Sequence, residues 1–198
     1  MKQIVLASSN PGKVREINRL LADLGLHAHP QSEFGVEDAE ETGLSFVENA
    51  IIKARNAARH TGLPAIADDS GIEVDALNGA PGIYSARFAG PGASDLDNLE
   101  KLLDQLQGVA AAERSARFQC LMVYLRHADD PTPVICQGTW EGSILFEPRG
   151  ENGFGYDPVF YVPTHDCSSA ELAADVKNSL SHRGQALRQL VAALRPTT

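Results

Sequence analysis

The sequence predicts an α/β fold, a mixed sheet flanked by helices, and three observations carry that expectation. Short apolar runs that suit buried strands occur at 4–7 and 65–67. Stretches with cap residues and helically spaced apolar positions lie at 10–25, 45–62 and 94–108. From Ala116 onward, alternating segments flank the turn Asp129-Asp130-Pro131-Thr132-Pro133, which predicts antiparallel strands and hence a mixed sheet.

Ile4, Val5, Leu6 and Ala7 open the chain as a strand, and Ser8-Ser9-Asn10-Pro11-Gly12-Lys13 turns it into a helix. Asn10 suits the cap, Pro11 the first helical position, and Val14, Ile17, Leu20, Leu21 and Leu24 form a stripe that Gly25 ends. A strand, a polar loop and a helix start make an anion site, to which Lys13 adds a full charge. It is not a P-loop, since Ala7 and Val14 stand where that motif needs Gly and Ser or Thr. The acidic stretch 37–43 has no apolar period and reads as a loop. Ser45 and Glu48 form a capping box for a helix with Phe46, Val47, Ala50, Ile51, Ala54, Ala57 and Ala58 on one face; it carries Lys53 and stops at Gly62.

Next comes the central stretch 65–90. Its apolar run ends in Asp68 and Asp69, which places the two acids at a strand's end, and Ser70-Gly71 reads as a turn into a half-buried strand with Ile72, Val74 and Ala76 inward. Two neighbouring carboxylates there suit either turn chemistry or a divalent cation held against phosphate. Ser94 and Asp97 cap a helix carrying Leu96, Leu99, Leu102, Leu103 and Leu106, and Ala116, Phe118, Cys120, Met122 and Tyr124 mark a long strand. The loop 150–158 combines three glycines with the rings of Phe154 and Tyr156, a flexible backbone with surfaces for stacking on a base. A short helix is expected over 168–177, and Ser181 starts a last helix with Leu187, Leu190, Val191 and Leu194 inward and His182 and Arg183 in its first turn.

Composition narrows the function classes. Seventeen basic against 26 acidic residues give a net charge of -9, which argues against a chain that grips nucleic-acid backbone by broad neutralisation. Cys120, Cys136 and Cys167 have neither disulfide-framework nor zinc spacing, and no run is long enough for a signal peptide core or a membrane span, so a soluble cytoplasmic protein is expected. At 198 residues, one domain over 1–198 is expected.

Taken together, SSNPGK at 8–13, FVENAIIKA at 46–54, ADDSGIEVDALNGAPGIYSARFAG at 67–90, GFGYDP at 153–158 and SHRGQAL at 181–187 resemble the inosine triphosphate pyrophosphatase family, the XTP/dITP diphosphatases. The resemblance covers nearly the whole chain, with Ser8 where the family usually has Thr. It implies an elongated mixed sheet, two lobes with a cleft, a homodimer, and hydrolysis of deaminated purine nucleoside triphosphates to the monophosphate and pyrophosphate with Mg2+. Carried over by position, Ser8, Ser9, Asn10, Pro11, Gly12 and Lys13 would hold the triphosphate, with Lys53 and Lys177 adding charge. Asp69 and Glu41 would ligate the metal, with Glu40 and Asp68 as alternatives, and Asp69 would accept the proton of the attacking water. Ser70 matches a substrate contact. Phe154, Gly155, Tyr156, Asp157, His182 and Arg183 would form the base pocket, Arg183 donating to a 6-oxo group and Asp157 accepting from a protonated N1. A Maf-like pyrophosphatase for other nucleotides, a kinase or phosphatase, and a nucleotide-binding module without chemistry are the rival readings.

Overall fold

The computed structural model describes residues 2–8 and 11–195. Among these residues, seven strands form one sheet in the order β2-β1-β3-β4-β5-β6-β7. They are β1 (Lys2–Leu6), β2 (Leu26–Pro30), β3 (Ala65–Val74), β4 (Ser115–Leu125), β5 (Val134–Ile144), β6 (Phe160–Val162) and β7 (Cys167–Ser168). β1 runs parallel to β2 and β3, whereas β5 with β6 and β6 with β7 are antiparallel, so the sheet is mixed as expected. Among the described residues, five α-helices accompany it: α1 (Pro11–Leu21), α2 (Phe46–Thr61), α3 (Asp95–Gln105), α4 (Ala174–Leu180) and α5 (His182–Leu194).

The chain divides into two compact units, the first comprising 1–69, 120–137 and 185–198, the second 70–119 and 138–184. In the first, the two-residue period of the strands sorts side chains onto two faces. Ile4, Leu6, Ile66, Cys120 and Met122 meet Ile17 and Leu21 of α1 and Leu187 and Leu190 of α5. Val5, Ala65, Ala67 and Val123 pack instead against Ala50, Ala54, Ala57 and Ala58 of α2. Small side chains on α2 let its backbone approach the sheet closely. The second unit has its own core, in which Leu99, Leu102 and Leu106 pack with Ile72, Phe118, Trp140 and Phe160.

Helix boundaries follow local chemistry. Ser45 Oγ accepts from Glu48 N, and the Glu48 carboxylate takes the Leu44 amide and the Ser45 hydroxyl at 2.9 and 2.7 Å. At α3 the Ser94–Asp97 box is reciprocal. Leu96, expected in the core, is exposed because it falls in the first turn, off the Leu99–Leu102 stripe.

Two other expectations fail. Ser70-Gly71 is no turn: β3 is continuous from Ala65 to Val74, since β4 lies beside it and extends the pairing beyond β1. The stretch expected as a helix over 168–177 instead holds β7, one 3-10 turn at Ser169–Glu171 and an extended Leu172 before α4. Its Ser168–Glu171 capping box closes that single turn. Cys120 and Cys136 are buried and all three cysteines are free thiols. No helix among the described residues is long and apolar enough to cross a membrane.

Candidate active site

Asp68 and Asp69 lie within β3, yet just past the reach of β1, whose register with β3 ends at Leu6 and Ile66. They therefore occupy the carboxyl end of the parallel pair, where open α/β sheets present ligand crevices. Alternation then separates them. Asp68 shares the side of Ile66, the α1 face, and Lys13 Nζ bonds both its oxygens at 2.9 Å. Asp69 shares the side of Ala67, the α2 face, and Lys53 Nζ lies 2.7 Å from its Oδ1. The same ammonium reaches Glu41 Oε1 at 2.8 Å, drawing the acidic loop to β3. Glu40, its neighbour, is exposed.

Among the described residues, the carboxylates of Glu41, Asp68 and Asp69 meet the ammoniums of Lys13 and Lys53. Burial pushes the Asp69 carboxyl above its ordinary range, and Lys53 offsets this only in part. Burial opposes the Lys53 ammonium too, but the Asp69 charge and bonds to Asp69 and Glu41 outweigh it and raise its pKa. Asp69 Oδ2 is buried with no hydrogen-bond partner among the described residues. A desolvated carboxylate oxygen that lacks a hydrogen-bond partner is a fitting ligand for a hard divalent cation. Among the described residues, no three Asp, Glu, His or Cys side chains form a group that could hold a metal ion by themselves.

The second unit gathers the other expected residues. Asp157 is 3% exposed; its Oδ1 accepts from Ser169 Oγ at 2.9 Å, and its Oδ2 accepts from Phe154 N at 2.8 Å and from Lys177 Nζ. Gly153 is required here: its φ is 83°, and a Cβ would collide with the Asp157 carboxylate. The Gly155 amide donates to Asp95 Oδ2 at 2.8 Å. Phe154 is 63% exposed, with Lys177 Nζ 5.2 Å and the Arg183 guanidinium 5.9 Å from its ring centre. Arg183 Nη2 also donates to Ser70 Oγ at 3.2 Å. His182 stacks on Phe118, ring centres 4.8 Å apart and planes 11° from parallel.

The two rings expected to stack on a base differ in fate. Tyr156 is buried in the core with its hydroxyl donating to Ser85 O at 2.8 Å, and burial, then the Asp95 charge, pushes its phenol well up. Its ring is not offered for stacking, which leaves Phe154. Lys177 sits with Asp157 and Phe154. Gly12 and Lys13 follow Pro11 in the first turn of α1, after Ser8; Ser9 and Asn10 lie outside the described residues. Asn49, Ser169 and Asp95, which bond Gly43, Asp157 and Gly155, are not among the residues that the motifs single out. The Ser168–Glu171 capping pattern was a signal for the turn that presents Ser169; Asn49, inside a helix, gave none.

A family model described as the Ham1 family matches residues 4–193. The chain is similar to the dITP/XTP pyrophosphatase of Vibrio parahaemolyticus, 62% identical over 100% of this chain and 99% of that one. It is also similar to that of Thioalkalivibrio sulfidiphilus, 64% identical over 96% of each. Among solved structures, a HAM1 protein from Coxiella burnetii superposes with a TM-score of 0.95 at 55% identity, covering 98% of both chains. A nucleoside-triphosphatase / dITP/XTP pyrophosphatase from Mycobacterium abscessus gives 0.80 at 41% identity, covering 98% of this chain and 100% of that one. The family resemblance legible in the motifs is thus borne out, and so is the fold class.

Proposed function

This chain belongs to the Ham1 family, and from that premise we infer that it is a nucleoside triphosphate pyrophosphohydrolase, converting dITP, ITP and XTP to the monophosphate and pyrophosphate. The observation that carries the chemistry is the buried Asp69, bridged by Lys53 to Glu41 and keeping one oxygen without a partner among the described residues.

In this reading Glu41 and Asp69 hold Mg2+, and the bridge to Lys53 favours Glu41 over the exposed Glu40. Asp68, directed to the other face and bonded by Lys13, orients that lysine instead of ligating. When bound, Mg2+ supplies positive charge to phosphoryl oxygens and so assists displacement at phosphorus. Asp69, the buried carboxylate at the cation site, accepts the proton of the attacking water as general base. Lys13 and the first turn of α1, with Lys53, neutralise the phosphates that leave.

For the base, Phe154 offers the exposed ring for stacking. Lys177 and Arg183 carry donors with no acceptor, so they suit a 6-oxo purine and oppose the 6-amino group of adenine. Asp157 has three of its roughly four acceptor positions filled, so its part is to aim Lys177 and the Phe154 backbone. The main chain of Gly155 and Tyr156, with Ser70 and His182, completes the set. Both units act as one domain over 1–198, in a cytoplasmic homodimer.

A panel of triphosphates with Mg2+, scored for pyrophosphate and orthophosphate, tests this. ITP, dITP and XTP should be consumed with pyrophosphate release, and ATP at least about 10⁴-fold less efficiently, the discrimination expected when a site's hydrogen-bond donors meet the wrong partner. Comparable turnover of ATP, or orthophosphate as the product, would overturn the reading.

A further inference from the structure

Residues 36–43, which carry Glu41, have no helix or strand of their own. Their position comes from α2, where residues 49, 53 and 56 recur at spacings of four and three and so share one face. Asn49 Oδ1 accepts from Gly43 N at 2.8 Å, Lys53 reaches the Glu41 side chain, and Asn56 Nδ2 donates to Glu37 O at 3.0 Å. The loop is thus held near its start, at its functional carboxylate and at its end. Asn49 is fully buried, and its Nδ2 has no partner among the described residues. An apolar residue would avoid that desolvation cost and the lower helix propensity of Asn. The contact also demands glycine opposite: a Cβ on Gly43 would lie 2.7 Å from Asn49 Oδ1 and 2.6 Å from Glu48 Cβ.

We propose that Asn49 is a positioning residue for the cation site: by fixing the Gly43 amide, with Asn56 fixing the Glu37 carbonyl, it presents Glu41 to the cation that Glu41 shares with Asp69. The proposal rests on Glu41 as a ligand. Partners that orient ligating groups are worth about 10- to 100-fold in metal affinity.

The test is equilibrium Mn2+ binding to the whole protein without nucleotide, by calorimetry or electron paramagnetic resonance, alongside melting curves. Glu41→Gln should weaken binding, and Asn49→Ala should weaken it by about tenfold. The double variant should bind no more weakly than Glu41→Gln alone, since Asn49 acts through Glu41. In turnover assays Asn49→Ala should raise the Mg2+ concentration for half-maximal rate while kcat at saturating Mg2+ stays near wild type; a merely structural loss would lower kcat instead. If Asn49→Ala does not fold, Asn56→Ala, which removes the hydrogen bond to the Glu37 main-chain carbonyl, carries the same expectation. Mn2+ affinity within twofold of wild type in the folded variant, or an undiminished loss in the Glu41→Gln background, overturns the proposal. Wild-type binding by Glu41→Gln would overturn the ligand assignment, and the proposal with it.

Discussion

Asp68 and Asp69 are adjacent in sequence and directed to opposite faces of β3, so each meets a lysine from a different helix. The consequence for Asp69 is testable apart from catalysis. A carboxyl whose folded-state pKa is raised holds its proton more tightly in the folded chain than in the unfolded one. The associated stability is complete below the ordinary carboxyl range and is lost as pH rises through the raised value, so at neutral pH the ionised Asp69 burdens the fold. Asp69→Asn removes that burden, and Lys53 keeps Glu41 as its partner. In EDTA at pH 7.5 the variant should therefore melt at or above the wild-type temperature, with the gap closing as pH falls, while kcat drops more than tenfold, about 1.4 kcal/mol in the barrier. Melting curves at three pH values with steady-state kinetics check both. The candidates Lys13, Lys53, Asp68 and Asp69 were visible in the sequence as residue types. Their pairing was not, because it depends on strand alternation in a segment that reads as turning at Ser70-Gly71.

At the scale of elements, caps made boundaries legible and neighbours overrode them. α2 and α3 begin where Ser45 and Ser94 say they should, since a side chain satisfying an amide is a local event. The continuous β3 and the late start of α4 are not local: a Ser-Gly pair stays extended when an adjacent strand offers hydrogen bonds, and a capping box can close one turn as well as open a helix. α2 shows what packing adds. Ala50, Ala54, Ala57 and Ala58 are essentially buried with residues of β1 and β3, so the helix seats Lys53 and Asn49 through a face of small, buried side chains. Ala54→Leu should cost about 1–3 kcal/mol by overpacking. Urea titration should show the midpoint falling with the slope unchanged; an unaltered midpoint would mean that α2 is not held this closely.

Over the whole molecule, a net charge of -9 coexists with ammoniums placed where phosphate is proposed to bind, because only local potential decides that contact. Fold class and family were legible from five ordered motifs, which are spread over both compact units. The convergence of Glu41 on Asp69 was not, since Lys53, the residue that joins them, reads on its helix as an ordinary exposed lysine. In the proposed reaction Asp69 directs water to the α phosphorus and pyrophosphate departs as one unit. Turnover of ITP in ¹⁸O-water, followed by mass spectrometry of both products, tests this. One ¹⁸O should appear in inosine monophosphate and none in pyrophosphate; label in pyrophosphate, or orthophosphate released with inosine diphosphate left behind, would contradict it.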